Sequence, residues 1–122
     1  MLKGEQSRMT EIDYDAVLAR KLCSMFPDPS VRKQVEDELN RYGVESYERE
    51  VPRVRVDILK VAGASLEKVR EWADIAKRDY RDILAGAEYP EELIKPTWNF
   101  PLSEQNTIQR RDKGQYLKWI EE

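Results

Sequence analysis

The chain has 122 residues, 40% of them apolar and 37% charged, with a formal net charge of −3 at pH 7. That length suits one domain around one core, and charge above the roughly 25% of an average globular protein calls for strong periodicity to sort apolar side chains inward. The acidic balance argues against a general binder of nucleic acid or anionic membrane, while the lack of histidine and the lone Cys23 remove Ser-His-Asp and Cys-His catalysis, imidazole zinc sites and any intramolecular disulfide.

Residues 1–9 are polar and aperiodic, and disorder is expected there. Nothing in this stretch resembles a secretory signal, and no apolar run approaches the ~18 residues of a membrane span. With one cysteine, a reducing, cytoplasmic setting is expected. Asp13 or Thr10 can cap a first helix over 11–26, whose apolar face collects Ile12, Leu18, Ala19, Leu22, Cys23, Met25 and Phe26. Cys23 reads as a buried structural thiol, since no base accompanies it. "FPDPS" ends that helix, and Asp28 and Pro29 start a second over 29–42 with a narrow stripe of Val31, Val35, Leu39 and Tyr42.

A third helix is predicted over 46–62. Tyr47, Val51, Val54, Ile58, Val61 and Ala62 share helical spacing, so an early start kinked by Pro52 is expected. "VPRVRVDI" alternates as a strand would, but its neighbours read as helix. Gly63 stops this helix and Ser65 caps a fourth, over 66–87, with Leu66, Val69, Trp72, Ala73, Ala76, Tyr80, Ile83, Leu84 and Ala87 on one arc. So short a turn implies antiparallel neighbours. Pro90, Pro96 and Pro101 make a long element between 90 and 102 unfavourable. Ser103 can cap a last helix towards 120 that buries Tyr116, Leu117, Trp119 and Ile120. The expected fold is therefore all-α: a single domain of about five helices, a compact bundle around the antiparallel hairpin of 46–62 and 66–87.

The stretch "EWADIAKRDYRD" (71–82) carries four carboxylates. Glu71, Asp74 and Asp82 point away from the apolar arc and read as a solvated helix face. Asp79 sits at the border of the arc. Across the hairpin, Arg49 falls opposite Asp79 and Arg55 lies inside the apolar arc. Arg49, Arg55 and Asp79 are thus candidates for a buried ion pair or, alternatively, for a ligand-binding arginine.

Glu45 and Glu48 in "ESYE", followed by Glu71 and Asp74 in "EWAD", resemble the paired acid motifs of the all-helical MazG-type nucleotide pyrophosphohydrolases. The resemblance implies magnesium held by carboxylates of two neighbouring helices, a chemistry that needs no histidine. The spacing weighs against it, because Glu48 and Asp74 are mismatched by roughly 9 Å along the hairpin. The block "VRVDILKVAGASLEKVREWADIAKRDYRDILAGAEYPEE" (54–92) resembles a group of short bacterial helical proteins of no known activity, which implies a bacterial source and a recurring hairpin.

In "KPTWNFP", Trp98 and Phe100 stand between prolines without helical periodicity. They either cover the open side of the helices or form a docking arm, and Trp119 in "YLKWIEE" can pack in its own bundle or in a partner's. The favoured function is a non-enzymatic protein-interaction module, with Trp98, Phe100 and Trp119 as contact residues, a protein partner or self-association, no nucleic acid or membrane, and no cofactor. The alternative is the magnesium-dependent pyrophosphohydrolase.

Overall fold

The computed structural model describes residues 12–95 and 98–122. Among them lie seven α-helices and no strand: α1 Tyr14–Met25, α2 Pro29–Leu39, α3 Val51–Ala62, α4 Leu66–Arg78, α5 Tyr80–Glu88, α6 Pro90–Ile94 and α7 Leu102–Glu121. The all-α expectation holds. The expectation for residues 1–9, and Thr10 as a cap, fall outside the described residues.

Helix starts follow local chemistry. The side chains of Asp13, Asp28 and Ser65 accept hydrogen bonds from the backbone N–H of Ala16, Ser30 and Lys68, at 3.1, 2.9 and 3.2 Å. The count rises above five for two reasons. The predicted helix over 66–87 is cut at Asp79, whose backbone is extended and whose carboxylate caps α5 by accepting from Arg81 N–H at 3.1 Å. Residues after Pro90 also close a short helix, because proline at the first helical position gives up only an N–H that would have had no partner.

The early start of the third helix is corrected. It begins at Val51, with Pro52 in its first turn and Glu50 in the left-handed region at φ 54°. Tyr47 lies in a separate turn, where Glu48 N–H donates to the Glu45 carbonyl at 3.1 Å, and its ring is exposed. The last helix runs through Gly114 without a break.

Position in the fold is set by α3. Val54, Val56, Asp57, Ile58, Leu59 and Ala62 are all buried, so most of this helix is covered, as suits a central one. It packs against α1, α4 and α5. One apolar cluster joins Leu22, Phe26, Val35, Leu39, Tyr42, Val54, Ile58, Val69 and Ile83. A second joins Val17, Val56, Ala87, Tyr116 and Ile120. Trp119 packs against both. Its ring also carries the ammonium of buried Lys21, 4.1 Å from the centroid. Cys23, expected inside, is exposed; the buried stripe of α1 is narrower than the apolar residues of its sequence and runs through Val17, Lys21 and Leu22.

Two glycines test this frame from opposite directions. Gly43 has φ +111°, and a Cβ there would meet Arg55 Nη2 and Val51 Cγ1 at 2.7 Å. Gly43→Ala should cost about 2 kcal/mol or more. Gly114 is exposed in mid-helix with open space around it, so Gly114→Ala should add about 1 kcal/mol. Thermal melts of the two variants beside wild type check both signs.

Candidate functional site

The residues singled out from sequence do not meet in one place. Asp79 is not a cross-hairpin ion-pair partner: it caps α5, and its carboxylate pairs with Arg81 at 2.9 Å. The break in the helix at Asp79 makes a partner two residues away the nearest one. Arg49 is exposed; its backbone, not its guanidinium, is engaged, exchanging hydrogen bonds with the Tyr42 hydroxyl. Arg55 turns its guanidinium to the Tyr42 carbonyl at 3.0 and 2.8 Å, closing the end of α2.

The four acids of the metal reading are also separated by their partners. Glu48 is buried as a side chain and lies 2.7 Å from the Lys77 ammonium. It also accepts from Gly43 and Glu45 N–H at 2.8 and 3.1 Å. Burial opposes its ionisation, but Lys77 and these amides prevail and hold its pKa down at about 2. Asp74 is paired with Arg41 on the surface, while Glu45 and Glu71 are exposed. No group of three or more acid, cysteine or histidine side chains able to hold a metal occurs among the described residues.

Of the aromatic candidates, Trp119 is half-buried between the two apolar clusters and acts as core. Phe100 is half-buried, and its carbonyl accepts from the Gln105 amide at 2.8 Å. Trp98 is 82% exposed and does not cover the helices.

The strongest electrostatic feature lies elsewhere, where α3, α5, α7 and α1 meet. Asp57 on α3 is fully buried and Glu88 on α5 is 3% exposed. Arg53, one turn before Asp57, grips Glu88 with two donors, Nε to Oε2 at 2.7 Å and Nη2 to Oε1. The Tyr116 hydroxyl of α7 donates to Asp57 Oδ1 at 2.5 Å. Asp57 Oδ2 is buried, and the Asp57 and Glu88 carboxyls are near enough to share a hydrogen bond when one of them is protonated. Tyr14 of α1 stands beside Tyr116 and Arg53, and Lys60 of α3 faces Asp57 at longer range.

Two buried carboxyls share one guanidinium, so one of them must keep a proton. Burial, followed by the neighbouring Glu88, pushes Asp57 up to about 10. Burial would raise Glu88 as well, but the Arg53 hydrogen bonds outweigh it and hold Glu88 below the ordinary carboxylate value. The proton therefore resides on Asp57. Burial and the adjoining Asp57 raise the Tyr116 hydroxyl, so it stays a donor.

Above this node, α5 and α6 stand off from α7 and leave a cavity of about 260 Å³, lined in part by Glu88, Tyr89 and Tyr116. Asp112 of α7 sits at its edge, 3% exposed, and its two carboxylate oxygens accept from Glu91 and Glu92 N–H at 2.9 and 3.0 Å. Asp112 thereby starts α6 from across the cleft, a task the cap residue Tyr89 does not perform with its side chain. Glu91 adds a surface pair to Arg111 at 2.5 Å. None of the node was singled out from sequence. The available signal was Asp57 itself, an acid directly between the apolar residues Val56 and Ile58.

These features define a small helical protein with a polar node in its core. Comparison of the chain with family models, with curated proteins and with solved structures finds no match.

The node and the Glu48 pair respond to pH in opposite senses. The folded pKa of Asp57, about 10, exceeds its ordinary 3.8. Its contribution is thus fully present below pH 3.8 and declines as pH rises towards 10. Asp57→Asn imitates the protonated acid without drawing a proton from solvent. It should stabilise the protein by about 1–3 kcal/mol at pH 7, with a gain that widens towards pH 9. Glu88→Gln removes the two-donor anion of Arg53, leaving it only the more distant Glu50 at 3.6 Å, and should cost about 3 kcal/mol. Glu48, held at about 2 against an ordinary 4.5, contributes above pH 4.5 and loses that contribution as pH falls towards 2. Glu48→Gln should therefore lower stability at neutral pH and converge with wild type in acid. Urea unfolding across pH measures all three.

Proposed function

We propose that the protein is a non-enzymatic interaction module, a compact helical bundle whose contact surface is the α6–α7 connection. The supporting observation is the exposure of Trp98, at 82%, flanked by Leu93, Ile94 and Leu102 at 59, 77 and 70%. Scattered exposed apolar residues are ordinary, but four large ones within ten positions of one connection are a local concentration of the kind found at contact surfaces. Tryptophan at its centre is the residue type that most often anchors such contacts. The occupant is a protein chain, either a second copy or another protein. No described helix is long and apolar enough to cross a membrane. The free, exposed thiol of Cys23 suits a reducing, cytoplasmic compartment. The magnesium reading keeps only the resemblance of its two acid motifs, and the four acids it needs are not grouped.

Sedimentation of wild type and Trp98→Ser across concentration, beside affinity capture from lysate of the source organism, tests the proposal. The expected result is one associated species, self or foreign, that the variant loses by about tenfold or more in affinity while its melting temperature stays unchanged. Overturning results are a wild-type monomer at about 0.1 mM with no chain captured, or a captured chain that both forms retain equally.

A further inference from the structure

We propose that the cleft between α5–α6 and α7 is a binding site for a small zwitterion, an α-amino acid with an apolar side chain. This site is separate from the apolar connection and does not depend on its being a contact surface. The cavity, about 260 Å³, lies just below the usual range for drug-sized ligands and has room for a single amino acid. Its floor is built from Glu88 and Tyr116, both almost fully buried, and Tyr89 forms part of the wall. The exposed ring of Tyr89 favours an apolar or aromatic guest, since ring contacts add to simple burial.

The charges decide the ends of the ligand. Four charged side chains line the cavity: Glu88, Glu92, Asp112 and Lys113. Glu88 is satisfied by Arg53. Asp112 is satisfied by the two amides at the start of α6. Glu92 and Lys113 remain, with no side-chain hydrogen bond or ion pair among the described residues. One free carboxylate and one free ammonium border the same apolar space. A ligand carrying both charges on one carbon satisfies them together: its ammonium meets Glu92, its carboxylate meets Lys113, and its side chain packs on the ring of Tyr89. A simple cation or anion would leave one of the two protein charges facing the wrong sign.

The test is a titration of the isotope-labelled full chain, followed by amide chemical shifts. The probes are L-phenylalanine, L-leucine, glycine, phenylalanine methyl ester (no carboxylate) and N-acetyl-phenylalanine (no ammonium). Phenylalanine or leucine should give saturable shifts at Tyr89, Glu92, Lys113 and Tyr116. Glycine and both blocked forms should bind about tenfold more weakly or worse. Glu92→Gln should erase the preference for phenylalanine over its N-acetyl form, and Lys113→Gln the preference over its methyl ester. Neither side chain is buried, and each variant's amide spectrum confirms its fold before titration. The proposal is overturned if neither phenylalanine nor leucine saturates, if glycine or the blocked forms bind as well, or if the preferences survive both substitutions.

Discussion

The charge balance at Arg53, Asp57 and Glu88 constrains the whole interior. Arg53, Arg55 and Lys60 of α3 reach solvent in part, but Asp57 is fully buried, so it can be accommodated only as a neutral acid or within a hydrogen-bonded network. The structure combines the two solutions. Glu88 arrives from α5 as the anion that Arg53 requires. Asp57 keeps the remaining proton, and the Tyr116 hydroxyl ties α7 to α3 through Asp57. The node adds directional contacts between α3, α5 and α7 to the non-directional apolar ones.

The two surfaces of interest border α7. Near its C-terminus it is anchored by Tyr116 on Asp57, by Ile120 and Trp119 in the core, and by the Arg20 guanidinium on the Ile120 carbonyl. Further up, Asp112 reaches across to start α6. Between these two anchors Gln115 donates to the Ala87 carbonyl of α5 at 3.2 Å, and the cleft opens beside that contact, lined in part by Tyr89, Gln109 and Lys113. Beyond the second anchor lies the connection from α6 to α7, where the described residues include exposed Trp98 and half-buried Phe100. Trp98, Leu93, Ile94 and Leu102 are left in solvent.

Much of this architecture was legible in the sequence. Periodicity located the helices, and Asp13, Asp28 and Ser65 marked their starts, because a capping side chain acts on its own next turn and needs no tertiary information. The wet face formed by Glu71, Asp74 and Asp82 was legible for the same reason. Asp79 was recognised as unusual, but its purpose was not: a helical wheel assumes a continuous helix, and Asp79 is where the helix stops. Tyr47 misled in a similar way, since its spacing with Val54 carried meaning only if Pro52 lay within one continuous helix. The node was hidden because its members lie 31 and 59 residues from Asp57, at Glu88 and Tyr116. Only the tertiary fold brings such distant polar groups together, and each alone looks like an ordinary amphipathic position.

The most direct test of this account is a carbon-13 NMR titration of the side-chain carboxyls of Asp57 and Glu88 in the intact protein. The account requires Asp57 to show the chemical shift of a protonated acid throughout neutral pH, and Glu88 that of a carboxylate. If Asp57 is ionised at pH 7, the shared-proton node does not exist, and the order of the core around α3 must have another cause.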